Sequence, residues 1–231
     1  GRGNGGAAAG RAGPADRAHG QDVVILHADA HLLIAVKPAG LLSVPGRGAD
    51  KQDCLIARLQ ADYPDALTVH RLDMATSGVM AFGRGIEAQR ALSAAFAERR
   101  VAKSYVAVVA GHVAEAAGEV DLPLICDWPN RPLQKVDHER GKRALTRWRV
   151  LARGIVGGGG VTRVELEPVT GRSHQLRVHM AQMGHPILGD PFYAPPAVRA
   201  MSARLLLHAR ALPVPHPADA EMTAFAAEPG F

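Results

Sequence analysis

The sequence predicts an α+β fold: a mixed, largely antiparallel sheet flanked by a few helices and loops around a central cleft. Three observations predict it. Short β-branched runs recur along the chain, Gly- or Pro-containing turns join several of them like hairpins, and only three stretches keep a helical spacing of apolar residues. With 231 residues and 47% apolar content, the chain can bury a sizeable core.

Residues 1–20 hold Gly, Ala, Arg and Pro without apolar periodicity and are expected to form a disordered arm, leaving 21–231 as one domain. Val23–Leu26 and Leu32–Val36 read as a hairpin, and Lys37-Pro38-Ala39-Gly40 breaks its second strand. Cys54–Tyr63 has helical spacing, with Leu55, Ile56 and Leu59 opposite Arg58. Thr68-Val69 and Val79–Phe82 read as strands around a tight excursion. A second helix over Ile86–Arg100 aligns Ala88, Ala91, Leu92, Ala95 and Phe96, and its Arg99 and Arg100 suit the negative pole of the helix dipole. Lys103–Ala110 is a strand that sends Lys103, Tyr105, Ala107 and Val109 to one face. Residues 120–135 are broken by Pro and read as irregular. Strands over Ala144–Leu151 and Val161–Pro168 flank a flexible tip, Gly157–Gly160. Ser173 is expected to N-cap a short helix carrying Leu176, Met180 and Met183 and ending at Gly184, and Leu205–Ala209 is a further strand.

No apolar run reaches the roughly 18 residues of a membrane span, and no apolar signal core opens the chain, so a cytoplasmic location is expected. Cys54 and Cys126 lack the spacing of a zinc site or a disulfide framework. A net charge of +5 and a pI near 9.6 favour an anionic partner. All but five of the 27 basic residues are Arg, whose planar fork suits phosphate and nucleobases, although GC-rich coding yields the same bias. Aromatic residues make up only 4%, too few for a platform stacking many bases.

Two segments concentrate chemistry. In His70-Arg71-Leu72-Asp73-Met74-Ala75-Thr76-Ser77-Gly78 one carboxylate sits on a turn between strands, where a sheet can hold it rigidly; capping its own turn would also explain Asp73. Thr170–Met180 packs Arg172, His174, Arg177 and His179 into eleven residues. The spacings of His174, His179 and His185 do not place imidazoles on adjacent helical turns, so no metal is expected.

Taken together, these segments resemble the RluA-type pseudouridine synthases, whose His-Arg-Leu-Asp-x-x-Thr-Ser-Gly signature residues 70–78 match throughout. Lys103-Ser104-Tyr105, Gly171–His179, Gly184–Asp190 and Leu207-His208-Ala209 follow in the family's order. Leu41–Arg47, Val120–Pro132 and Ser173 point within it to a subgroup acting on both 23S ribosomal RNA and tRNA. The resemblance runs from about residue 23 to the end.

That resemblance implies the pseudouridine synthase catalytic fold and conversion of uridine to pseudouridine in RNA hairpin loops, the tRNA anticodon stem-loop included, by a monomer needing neither cofactor nor metal. Asp73 would be the essential group, as nucleophile at C1′ or base at C2′, with Arg177 favouring its ionised form and Tyr105 packing on the uracil and helping to remove the C5 proton. Arg71 would fill the space left by the flipped nucleotide, Arg172 and His174 would hold phosphate or pocket walls, and His70 and Thr76 would shape the loop against the substrate. Two rivals remain: a catalytically silent RNA-binding chaperone of the same fold, and an Asp-dependent glycoside hydrolase. The hydrolase needs a second carboxylate, and the one candidate, Asp190, sits in a Gly-Asp-Pro segment that reads as a turn.

Overall fold

A computed structural model describes residues 23–231, so the arm expected at 1–20 lies outside the described residues. The strands are β1 (Val24–Ala28), β2 (Leu32–Lys37), β3 (Ala66–Thr68), β4 (Ser77–Arg84), β5 (Ser104–Ala110), β6 (Ala117–Asp121), β7 (Leu124–Cys126), β8 (Gln134–Val136), β9 (Leu145–Val156), β10 (Gly159–Pro168), β11 (Leu207–Pro215) and β12 (Met222–Ala226). The α-helices are α1 (Leu55–Gln60), α2 (Ile86–Ala97), α3 (Gln175–Gln182) and α4 (Pro196–Arg199).

Ten strands form one sheet in the order β1-β2-β4-β11-β5-β10-β9-β6, with β3 beside β4 and β12 beside β11; β7 and β8 pair separately. All strand pairs in it are antiparallel except β4 with β11, where Ser77 and Gly78 run parallel to His208 and Ala209. The sheet is covered on both faces. Along β2, Leu33 and Ala35 pack with α1, whereas Leu32 and Ile34 pack with Leu92 and Ala95 of α2, as period-two geometry requires. On β5, Ala107 and Val109 join Tyr105 against Leu176 and Met180 of α3.

The first hairpin forms as expected, and Asp29 closes it by accepting the N–H groups of His31 and Leu32 at 2.7 and 2.8 Å. At the glycine tip, Gly157 and Gly158 make the turn with positive φ while Gly159 already belongs to β10. Other expectations need correction. Residues 120–135 are not irregular: β6 ends there and β7 pairs with β8 around a short 3-10 turn, Trp128–Asn130. Ala91 faces solvent, and α2 stops at Ala97, where Arg99 turns left-handed. Ser173 does not cap α3. His174 occupies the N-cap position at φ 53° with no side-chain cap, and the Gln175 side chain ties down the preceding turn by accepting the Arg172 N–H at 3.1 Å. The last long strand starts at Leu207 rather than Leu205, and β12 had no signal in the sequence reading.

Candidate active site

The loop joining β3 to β4 carries Asp73, and its backbone is locked on both sides of that residue. The Ser43 hydroxyl donates to the Leu72 carbonyl at 2.7 Å and accepts the Leu72 N–H at 3.1 Å. On the other side, the Met74 carbonyl accepts from the Gly40 N–H at 2.8 Å and from the Lys37 ammonium at 3.0 Å. Lys37 is fully buried and also donates to the carbonyls of Pro38 and Leu41. Burial pushes its pKa down to about 7, against the pull of Asp73 and with the help of Arg204. The Thr76 N–H closes the turn on the Asp73 carbonyl at 3.1 Å. The Asp73 side chain, between these locked neighbours, is 32% exposed.

His70 and Gly78 fasten the ends of this loop. His70 Nε2 accepts the Ala81 N–H at 3.0 Å, which puts the ring proton on Nδ1, and the ring stacks on Phe96 at 4.4 Å. Burial, aided by Lys103, drives its pKa down to about 3, so it is a neutral strut. Gly78 has φ +133°, and a Cβ there would lie 2.3 Å from the Ala209 carbonyl oxygen of β11. Its neighbour Ser77 accepts from Arg204 and meets His208 Nδ1 at 2.7 Å, with His208 Nε2 on the Ala227 carbonyl. The Leu207-His208-Ala209 segment thus braces the start of β4.

Opposite Asp73, α3 presents Arg177 and His174. Arg177 is 2% exposed and donates through Nε and Nη2 to the two oxygens of Asp190, at 2.9 and 2.7 Å; its Nη1 stands 3.4 Å from Asp73. Burial opposes its charge, but the bonds and charge of Asp190, with Asp73 adding to them, hold the guanidinium more firmly protonated than usual. Phe192 and Tyr193 lie under it at 5.0 and 5.3 Å. Gly189 makes this possible: at φ +73° its chain passes so close to Arg204 that a Cβ would meet that carbonyl oxygen at 1.9 Å. His174 Nδ1 lies 2.5 Å from the Tyr193 hydroxyl, and its Nε2 is 3.8 Å from Asp73. Burial, with Arg177 adding, lowers the His174 pKa against the charges of Asp73 and Asp190.

These groups face a cleft of about 1070 Å³ whose lining includes Arg71, Arg99, Lys103, Arg147, Arg172 and Arg177 against two carboxylates, Asp73 and Glu167. Such a wall attracts a polyanion and disfavours a cationic ligand. Tyr105 also lines it, and burial together with the Asp73 charge pushes its hydroxyl well above the ordinary range. A phenol so disposed stays neutral near pH 7, which suits packing against a ring better than acting as a base.

Of the residues expected from the sequence, Asp73, His174 and Arg177 converge, and Tyr105 shares their cleft. Arg71 and Arg172 lie exposed at its rim, Arg172 donating to the Arg143 carbonyl. His70 and the buried Thr76 line it too, but their polar contacts above are to the loop and β4. Three residues were not expected at the site, Ser43, Lys37 and Tyr193, and Asp190 was expected only as a turn and as a hydrolase's candidate second carboxylate. Asp190 is a turn residue as expected, accepting the Phe192 N–H at 2.9 Å, but it is also the main partner of Arg177. The signal available was a carboxylate beside an obligatory glycine within a polar-rich run. His179 is bound to Thr146 and the Leu122 carbonyl, and His185 to the Ala110 carbonyl, so the two histidines serve separate backbone segments. No helix among the described residues is long and apolar enough to cross a membrane.

Comparison with known proteins places this geometry in context. Residues 31–182 match the family model described as RNA pseudouridylate synthase. The dual-specificity RNA pseudouridine synthase RluA of Escherichia coli strain K12 is 54% identical over 209 residues, covering 90% of this chain and 94% of that protein. Its counterpart in Yersinia pestis is 54% identical over 195 residues, covering 84% and 93%. Among solved structures, human RNA pseudouridylate synthase domain containing 1 superposes with a TM-score of 0.78 at 28% identity, covering 91% of this chain and 84% of that one.

Proposed function

The chain belongs to the RNA pseudouridylate synthase family and is an isomerase of uridine in RNA, and on that premise we propose that its substrates are hairpin loops of both 23S ribosomal RNA and tRNA, the anticodon stem-loop among them. The observation that carries the reading is the Asp73 carboxylate, outward-facing on a loop locked at Leu72 and Met74, beside Arg177 in a basic cleft.

Chemically, the N1–C1′ bond breaks, the uracil turns in the pocket, C5 bonds to C1′, and the proton lost from C5 is matched by one gained at N1. No atom or electron enters or leaves. A stacked uridine must first be extruded, at a cost of a few kcal/mol. Arg71 at the rim takes the vacated space, while Arg172 and His174 form the pocket wall facing the backbone. Tyr105 packs on the uracil. Asp73 serves attack on C1′ or removal of the C2′ proton equally, since both need an ionised, unshielded carboxylate, and Arg177 supports that charge. The described residues act as one catalytic unit. A monomer acting in the cytoplasm, where ribosomal RNA and tRNA are met, is part of the same reading.

The test is pseudouridine mapping on unmodified 23S ribosomal RNA and tRNA transcripts incubated with the wild type and with Asp73→Asn. New pseudouridine in loops of both RNAs, absent with the variant, is the expected result. Modification of one RNA alone would end the dual range, and undiminished product with the variant would remove Asp73 from the chemistry.

A further inference from the structure

The chain has two tryptophans, and they are used in opposite ways. Trp148 is buried in β9, whereas Trp128 is 65% exposed at the tip between β7 and β8. Arg131 lies over its ring at 4.8 Å, and among the described residues no other ring or cation contacts it. The tip is nevertheless well ordered by its own bonds. The Asn130 N–H and amide donate to the carbonyl and carboxylate of Asp127, the Asp127 N–H donates to the Leu133 carbonyl, and the Leu133 N–H donates to the Asn130 carbonyl. The turn that carries the exposed indole is thus held by its own bonds, and Arg131 is the one cation over the ring among the described residues.

That place adjoins the cleft. Pro132, next to Arg131, is part of the cleft wall. The Gln134 N–H donates to the Tyr193 hydroxyl at 2.9 Å, the same hydroxyl meets His174 Nδ1, and His174 Nε2 is 3.8 Å from Asp73. Val136 of β8 and Tyr193 pack against Val178 of α3, so the tip and the wall carrying Arg177 are one body.

We propose that Trp128 and Arg131 form a nucleobase-stacking subsite at the rim of the cleft, taking one unstacked base of the same RNA loop that presents the target uridine. The proposal rests on the function given above and adds a specificity-determining contact to it. An indole offers a base its open surface, and the guanidinium over it adds a cation for the base or its phosphate. RNA loops are read in this way, by splayed bases stacked on aromatic and Arg planes. Aromatic residues are 4% of the chain, and one exposed indole at this tip fits one flanking base rather than a continuous strand.

The experiment pairs a minimal hairpin substrate with copies in which one loop nucleotide at a time is abasic, and measures Kd for the wild type, Trp128→Phe and Trp128→Ala. Trp128→Ala is expected to weaken binding about 5- to 150-fold, the range for losing one stacked base, with Trp128→Phe close to the wild type. One abasic position should cost the wild type a similar factor and cost Trp128→Ala nothing further. Equal Kd for Trp128→Ala and the wild type, or abasic penalties that simply multiply with the substitution at every position, would overturn the subsite. Pseudouridine formation by the wild type in the same samples reads the function separately: its absence beside a Trp128-dependent Kd would overturn the enzymatic reading and leave the stacking contact standing.

Discussion

Arg177 gives its two-pronged edge to Asp190, at 2.9 and 2.7 Å, and only a single nitrogen, at 3.4 Å, to Asp73. The difference matters for chemistry. A paired fork on Asp73 would tie up both of its oxygens, whereas a buried fork on Asp190 fixes the guanidinium and leaves its remaining edge to support Asp73 from one side. It also bears on the hydrolase reading, because both Asp190 oxygens are committed to Arg177 and the carboxylate is fully buried.

Asp190→Asn should therefore cost far more stability than Asp73→Asn. Removing one member of a buried pair leaves an uncompensated charge, worth about 3–5 kcal/mol, while a partly exposed Asp73 with one long contact should fall within about 0.5 kcal/mol of the wild type. Urea unfolding of the two variants checks this. Similar losses in both would mean that Arg177 does not depend on Asp190.

Ser43→Ala removes the hydroxyl that serves both main-chain polar groups of buried Leu72. Leaving those groups unpaired should cost about 1–3 kcal/mol. A carboxylate displaced by about 1 Å can lose about 100-fold in rate, so single-turnover pseudouridine formation should fall by about 10- to 100-fold while RNA affinity stays near that of the wild type. A full rate in the variant would show that Asp73 is positioned by the Lys37 side of the loop alone.

Much of this site was legible locally. Nine residues gave the Asp73 turn, and period-two spacing gave the face that Tyr105 shares with Ala107 and Val109. What stayed hidden depends on chain segments far apart in sequence. Lys37 is the last residue of β2, and its reach to the Met74 carbonyl needs the two loops in register. Asp190 satisfies a turn on its own, so nothing local announced its bond to Arg177, 13 positions away. The β7–β8 hairpin was missed because prolines mask strands of three residues each. Ser173 had the right chemistry for a cap, yet the left-handed His174 put the helix start one residue later and left it without a side-chain cap.

Gly78→Ala tests the parallel junction of β4 and β11. Its φ of +133° disfavours any side chain, and the added Cβ would sit 2.3–2.6 Å from three backbone atoms of Ala209. Strain and overpacking together should cost about 2–6 kcal/mol. Gly40→Ala is the control, since Gly40 has φ +86° but open space around it, and should lose only the backbone part, about 1–3 kcal/mol. Equal losses in urea unfolding would show that crowding against β11 contributes nothing.

Acid should destabilise the fold before its carboxylates titrate. His70 has a folded pKa of about 3 against about 6.5 in the unfolded chain, and burial lowers His174, His179 and His208 in the same direction. A depressed histidine is neutral when folded and protonated when unfolded, so below pH 6.5 the unfolded state binds more protons and stability drops as pH falls. His70 contributes about 1.4 kcal/mol per pH unit where the pH is well below 6.5 and still above its folded value of about 3. Near pH 5 the His70 share of the slope should be about 1.4 kcal/mol per unit, with His174, His179 and His208 adding to it in the same direction. Unfolding free energies in urea from pH 5 to 7 measure it. His70→Gln, which keeps an acceptor for the Ala81 N–H, should flatten the slope by about 1.4 kcal/mol per unit. Folded His70 stays neutral across this window and keeps the Ala81 N–H, so the rate of the folded enzyme should not follow the stability slope. A flat stability profile across this window would mean that these histidines titrate alike in the folded and unfolded chains.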